Sequence, residues 1–120
     1  MIIDDEPLAI RVLENHIQKI PWLDISFTCT NPVEAIEQVK QKKADLIFLD
    51  IQMPELTGLE FLESLPRQPV VIFTTAYRQF AADAYDLDGL DYLIKPIAFP
   101  RFLKAVNKYV ERHGNKQDLP

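Results

Sequence analysis

A doubly wound α/β fold is what this sequence predicts: a five-stranded parallel sheet in the order 2-1-3-4-5, with helices on both faces. Three observations predict it. Strand-like and helix-like segments alternate strictly along the chain, the pattern of parallel strands joined by crossover helices. Two short runs, Leu46 to Leu49 and Val70 to Thr74, carry no alternation of polar residues on one face, the mark of strands buried on both sides. The chain has 120 residues, a one-domain length. At that length right-handed crossovers leave few topologies, and the flavodoxin-like order 2-1-3-4-5 is the common one.

Each element has its own local reason. Met1 to Ile3 is a short apolar run and the first strand. It is short for a central strand, which usually needs about five residues, and this points to residues preceding Met1. Pro7 to Ile20 reads as a helix with Pro7 in its first turn and a stripe of Leu8, Val12, Leu13, Ile17 and Ile20. Ile25 to Thr30 is β-branched and aromatic, hence a strand. Asn31 can cap a helix that starts at Pro32 and turns Val33, Ile36 and Val39 inward. After the buried strand at 46–49, Thr57 to Leu65 forms a short helix with Leu59, Leu62 and Leu65 inward. Val70 to Thr74 is the fourth strand, Phe80 to Leu87 a weaker acidic fourth helix, and Asp91 to Ile94 the fifth strand. A fifth helix presents Phe99, Phe102, Leu103, Val106 and Val110 on one face and ends near Arg112 and Gly114. The tail 115–120 is polar and reads as the start of a linker.

Composition removes several function classes. With 48% hydrophobic and 26% charged residues, the chain can build a core and is not a disordered one. Thirteen basic and 18 acidic side chains leave a formal charge of −5, which argues against this segment wrapping nucleic acid itself. A single cysteine, Cys29, permits neither an internal disulfide nor a CxxC metal site and suits a reducing, cytoplasmic setting. The longest apolar stretch, Pro69 to Ala76, is far short of the ~20 residues that span a bilayer. Acids at Asp4, Asp5 and Glu6 are unlike a signal peptide. Three glycines cannot build a GxGxxG or a GK[ST] phosphate loop. His16 and His113 lack metal-ligand spacing and read as surface or helix-face residues, Cys29 as a small core residue, and Trp22 as a cap on the first helix.

The chemistry lies at the carboxyl ends of the strands, where doubly wound sheets bind ligands. Strand 1 ends in Asp4-Asp5, strand 3 in Asp50, strand 4 in Thr74-Thr75 and strand 5 in Lys95-Pro96. Strands 1 and 3 are neighbours in the predicted order, so Asp4, Asp5 and Asp50 converge, with Thr75 and Lys95 beside them. Two unit charges ~4 Å apart repel by about 4 kcal/mol at an effective dielectric of 20. Lys95 offsets part of that, and a hard divalent cation such as Mg²⁺ offsets it better. A metal site, a carboxylate nucleophile, a hydroxyl and a lysine are the parts of phosphoryl transfer to an aspartate.

Four motifs stand in order: Ile2-Ile3-Asp4-Asp5-Glu6, Leu49-Asp50-Ile51-Gln52-Met53-Pro54 with Gly58, Thr74-Thr75-Ala76, and Tyr92-Leu93-Ile94-Lys95-Pro96. In these the chain resembles the receiver domain of bacterial two-component response regulators, over residues 1–114. Asp5-Glu6-Pro7-Leu8-Ala9, Phe73-Thr74-Thr75-Ala76-Tyr77 and Asp91 to Ile97 look most like receivers attached to LytTR-type DNA-binding domains. The resemblance implies that Asp50 is the phosphoacceptor for a sensor histidine kinase. It implies Mg²⁺ (or Mn²⁺) at Asp5, Asp50 and the Gln52 backbone carbonyl, with Asp4 assisting through water. Thr75 and Lys95 would bind phosphoryl oxygens, and the small Ala76 would leave the site open. Thr75 and Tyr92 would switch, Gln52 and Tyr77 would tune dephosphorylation, and a cis peptide would precede Pro96.

The implied readout face is the fourth helix, fifth strand and fifth helix. Asp83, Asp86, Asp88 and Asp91 there face Arg101, Lys104, Lys108 and Arg112, a charge pattern that suits a symmetric dimer. DNA would be reached only through an output domain beyond 115–120, and no membrane contact is implied. The implied protein regulates transcription and catalyses only its own phosphorylation and dephosphorylation, without turnover. An aspartyl-phosphate phosphatase would carry a second acid two positions after its nucleophile, where this chain has Gln52. A free-standing receiver and a phosphate-independent interaction module stay open as alternatives.

Overall fold

Five strands, β1 (Ile2–Ile3), β2 (Thr28–Cys29), β3 (Ile47–Asp50), β4 (Val71–Thr75) and β5 (Asp91–Ile94), form one parallel sheet in the order β2-β1-β3-β4-β5. The computed structural model describes residues 1–79 and 89–113. The helix expected at 80–87, with Asp83, Asp86 and Asp88, and the linker expected at 115–120 lie outside the described residues. The described helices are α1 (Pro7–Gln18), α2 (Pro32–Gln41), α3 (Gly58–Glu63) and α4 (Phe99–His113). The predicted topology is the observed one.

Side chains of the buried strands alternate between two cores. Ile2, Phe48, Ile72 and Leu93 point to the side covered by α1 and α4, where they meet Leu13, Ile17, Phe102 and Val106. Ile3, Ile47, Leu49, Val71 and Phe73 point to the other side, against Ala35 of α2 and Phe61 and Leu62 of α3. Period-2 geometry makes both faces of each strand apolar, which is why these strands read as continuous hydrophobic runs. β1 reaches only two residues yet is central, because Ile2 and Ile3 pair with β2 on one side and β3 on the other.

Capping sets the helix starts. The Asn31 side chain accepts hydrogen bonds from the Val33 and Glu34 amides at 2.9 and 3.2 Å. Thr57 Oγ1 accepts from the Glu60 amide at 3.2 Å while Glu60 Oε1 accepts from the Thr57 amide at 3.0 Å, a reciprocal box that starts α3.

Some expected stripes are corrected. In α1, Leu8 is 72% exposed and Val12 38% exposed, while Ile10, Leu13 and Ile17 are buried. At about 100° per residue, Leu8 and Val12 lie about 200° from Ile10, on a second stripe turned away from the sheet. Val33 and Leu59 are likewise exposed; Pro32 and Ala35 take the inward places in α2, and Phe61 and Leu62 in α3. β2 is two residues where six were expected, since only Thr28 and Cys29 pair with β1. Cys29 is buried in the second core, as expected, and Trp22 packs against the first. His113 is an exposed helix-face residue beside Tyr109.

His16 is not a surface residue. Its Nε2 lies 2.7 Å from the Ile97 carbonyl oxygen, and its ring packs against Phe99 and Phe102. Asp91 is also drawn inward: Arg101 donates to it through two nitrogens at 2.9 and 2.8 Å, and Lys108 stands 3.2 Å away. Among the described residues no helix is long and apolar enough to cross a membrane.

Candidate functional site

The parallel order brings the ends of β1, β3, β4 and β5 to one edge of the sheet. Asp4 follows β1, Asp50 ends β3, Thr75 ends β4 and Lys95 follows β5. Hydrogen bonds continue the sheet into the site: the Asp4 amide donates to Cys29 O at 3.1 Å, the Ile51 amide to Thr74 O at 2.9 Å and the Lys95 amide to Thr75 O at 2.7 Å. Asp4, Asp50 and Thr75 are therefore rigidly placed and buried, while Asp5 is half-buried. The site opens into a cleft of about 430 Å³ lined by Asp5, Asp50, Gln52, Thr75 and Tyr77.

Asp4, Asp5 and Asp50 each bring a carboxylate oxygen to within 4.8 Å of the others. Lys95 Nζ stands over two of them, 2.8 Å from Asp4 Oδ2 and 3.6 Å from Asp50 Oδ2. It also pairs with Glu6, donating to Oε1 at 3.2 Å. Glu6 was missed as a Lys95 partner, although its place next to Asp5 was the available signal. The Asp50 Oδ1 accepts from the Gln52 amide at 3.3 Å, and Asp4 Oδ1 from the Glu6 amide at 2.9 Å.

The electrostatics follow from burial and crowding. Burial, then Asp4 as a like charge, pushes the Asp50 carboxyl up to about 8, although Lys95 opposes both. Burial also pushes Asp4 above the usual carboxylate range, outweighing the Lys95 ammonium and the Glu6 amide. At Lys95 burial disfavours the cation most strongly of any single cause, yet Asp4, Asp50 and Glu6 together hold its pKa above the ordinary value. One lysine is not enough positive charge for this pocket. Asp4 Oδ2 is buried and, among the described residues, has the Lys95 ion pair but no hydrogen bond of aligned geometry. An all-oxygen donor set with a raised carboxyl, three carboxylates close together and one lysine between them fits a hard divalent cation.

The remaining expected residues lie around this centre. Thr75 Oγ1 accepts from the Tyr77 amide at 3.1 Å. Tyr77 is half exposed on the cleft wall, and Ala76 is exposed beside it. Gln52 is exposed and also lines the cleft. The Tyr92 ring stacks on Phe73 at 5.6 Å, and its hydroxyl accepts from the Gly89 amide at 3.1 Å. The Lys95–Pro96 peptide is cis. Gly58 has its own reason: a Cβ there would stand 2.7 Å from the backbone oxygen of Asp50, so only glycine lets α3 pack behind the acceptor.

Comparison with known proteins agrees with this geometry. The response regulator receiver domain family matches residues 1–107. The chain is 38% identical to the transcriptional regulatory protein BtsR of Salmonella typhi, over 99% of this chain and 50% of that protein. It is 35% identical to a Vibrio cholerae protein described as an uncharacterized response regulatory protein, over 100% of this chain and 52% of that one. The chain thus spans about half the length of the curated relatives it matches. Among solved structures, the response regulatory domain of mrkE from Klebsiella pneumoniae superposes with a TM-score of 0.79 at 28% identity, covering 92% of this chain and 93% of that one. The REC domain of AraT from Geobacillus stearothermophilus gives 0.76 at 29% identity, covering 98% and 95%.

Proposed function

The chain belongs to the response regulator receiver family, and from that premise we propose that Asp50 is a phosphoacceptor charged by a sensor histidine kinase. The observation that carries this is the convergence of Asp4, Asp5, Asp50 and Lys95, with Asp5 and Asp50 lining an open cleft. An Asp50 carboxylate oxygen attacks the phosphorus of a phosphohistidine. The O–P bond forms, the N–P bond breaks, and the imidazole leaves with its electron pair and takes up a proton. Mg²⁺ or Mn²⁺, held by Asp5, Asp50 and the Gln52 carbonyl with Asp4 through water, would supply the charge that keeps Asp50 ionised and neutralises the transferring group.

The chain's own residues do the rest. Lys95, cationic and anchored by Asp4, presents its ammonium 3.6 Å from Asp50 Oδ2, where phosphoryl oxygens arrive. The Thr75 hydroxyl, which donates weakly to the Tyr77 carbonyl oxygen at 3.5 Å, redirects that proton to a phosphoryl oxygen. Each charge-assisted bond is worth roughly 1.5–3 kcal/mol, and a switch from 1:99 to 99:1 needs about 5.5 kcal/mol. Two such bonds supply much of that, and dimerisation or a partner completes it. Tyr92 follows, giving up its place over Phe73 and the Gly89 amide to turn inward. Gln52 and Tyr77 line the same cleft as the acceptor and tune water access and dephosphorylation.

The output is transcription regulation through a LytTR-type DNA-binding domain beyond residue 120. The LytTR-like motif flavours support that output type, while the match to half of proteins named as transcriptional regulators supports transcription regulation alone. The receiver works in the cytoplasm, meets DNA only through that domain, and is not a turnover enzyme. The test is intact mass after incubation with acetyl phosphate, with and without Mg²⁺, beside Asp50→Asn. A Mg²⁺-dependent gain of one phosphoryl group, absent in the variant, is expected. No gain in a folded wild-type chain would move the reading to a phosphate-independent interaction module.

A further inference from the structure

We propose that His16 is a positioning residue for the acceptor site, holding the loop that carries Lys95. The inference rests on the reading of Asp50 as phosphoacceptor. His16 is half-buried on α1 between Leu13 and Ile17, both of them buried. Its Nε2 sits 2.7 Å from the carbonyl oxygen of Ile97. A carbonyl oxygen only accepts, so Nε2 carries the proton. Nδ1 is buried and has no hydrogen-bond partner among the described residues, so Nε2 makes the ring's hydrogen bond there.

The bond joins three pieces of the fold. The His16 ring packs 5.5 Å from Phe99 and 5.3 Å from Phe102, both in α4, while Nε2 holds the loop before α4. That loop leaves the sheet at the Lys95 amide bond to Thr75 O, 2.7 Å, and enters α4 at the Phe102 amide bond to Ala98 O, 3.0 Å. His16 fixes it between these points. Lys95 projects from the start of the loop to Asp4, Glu6 and Asp50, all within 3.6 Å. A small backbone shift there displaces the ammonium from the incoming phosphoryl oxygens, and misplacement of reacting groups by about 1 Å can cost on the order of a hundredfold.

The test compares His16→Phe, which keeps the ring packing and removes the donor, with His16→Gln, which restores an N–H donor at similar reach. Acetyl phosphate uptake and Mg²⁺ affinity are measured on both and on wild type. His16→Phe is expected to lose about tenfold in maximum uptake rate, with half-saturating acetyl phosphate and Mg²⁺ affinity changed less than about twofold. His16→Gln is expected to recover most of the rate. Uptake in His16→Phe within about twofold of wild type overturns the proposal. So does a joint fall of rate and Mg²⁺ affinity, which marks general loosening. On the unaltered chain, ¹⁵N spectra of the His16 ring are expected to show the Nε2–H tautomer; the Nδ1–H tautomer overturns the proposal even if neither variant folds. Wild type taking up no phosphoryl group overturns the acceptor reading itself, a failure distinct from any change in the ratio of variant to wild type.

Discussion

Asp50 is held against its own ionisation. Its folded pKa lies above the unfolded value, raised to about 8 by burial and by Asp4. For an acid with a raised folded pKa, stability is fully present below the unfolded value near 3.8 and is lost as pH rises through the folded one. Asp50→Asn removes this loss. We expect thermal melts of metal-free protein to show the variant more stable than wild type by roughly 1–3 kcal/mol at pH 8, with the gap shrinking toward pH 5. Mg²⁺ should raise the wild-type melting temperature and leave that of Asp50→Asn nearly unchanged. Lys95 works the other way. Removing it by Lys95→Met leaves Asp4 and Asp50 facing each other, and we expect a loss of about 3 kcal/mol at pH 7.5 that lessens at pH 5. Chemical denaturation at both pH values checks it, and equal losses would speak against charge compensation as the role of Lys95.

Two contacts between elements stand out, one behind the acceptor and one at the opposite end of the sheet. Gly58 opens α3 directly against the backbone oxygen of Asp50, 2.7 Å from where a Cβ would stand. Gly58→Ala is expected to cost about 1–3 kcal/mol and to slow phosphoryl uptake, because the strain falls on the acceptor's own peptide. Urea melts and uptake rates on the same preparation check both halves. At the other end of the sheet, Asp91 ties β5 to α4 through the paired bonds from Arg101 and the contact with Lys108. Burial disfavours the Asp91 anion, but these cations and the Tyr92 amide hold its pKa below the ordinary value. Its stabilisation is therefore present above the unfolded pKa and lost as pH falls through the folded one. Asp91→Asn should cost about 2 kcal/mol at pH 7, and a double-mutant cycle with Arg101→Ala should show the two changes to be non-additive.

At the scale of the molecule, the Asp91 contacts narrow the proposed dimer. Asp91, Arg101 and Lys108 meet within one chain, so they are already engaged before any second copy arrives. Lys104 remains exposed on α4. Arg112 is exposed there too, so charge pairing across a symmetric dimer would fall to Lys104 and Arg112 against the acids in the sequence at 80–88. We expect phosphorylated protein to shift toward dimer in sedimentation velocity, and Lys104→Glu to weaken that shift by about tenfold in Kd, with partial recovery when paired with Asp86→Lys. Phosphorylation-dependent association untouched by Lys104→Glu would place the dimer elsewhere.

Much of this protein is legible in its sequence because it rests on local signals. Continuous apolar runs at 47–49 and 71–73 mark doubly covered strands, Asn31 and Thr57 mark helix starts, and chain order with right-handed crossovers leaves one common sheet. Once that sheet is granted, Asp4, Asp5, Asp50, Thr75 and Lys95 must share an edge, since strand ends are set by topology alone. The tertiary structure decided what depends on rotation and reach. Leu8 and Val12 face outward because a stripe must point at the sheet, and only packing says which of two stripes does. Glu6 joins Lys95, Asp91 joins Arg101 and Lys108, and His16 meets Ile97 across a separation of 81 residues. No local pattern encodes such pairs. A polar side chain chooses its partner by the distance left after the core has packed, and that distance exists only in the folded chain.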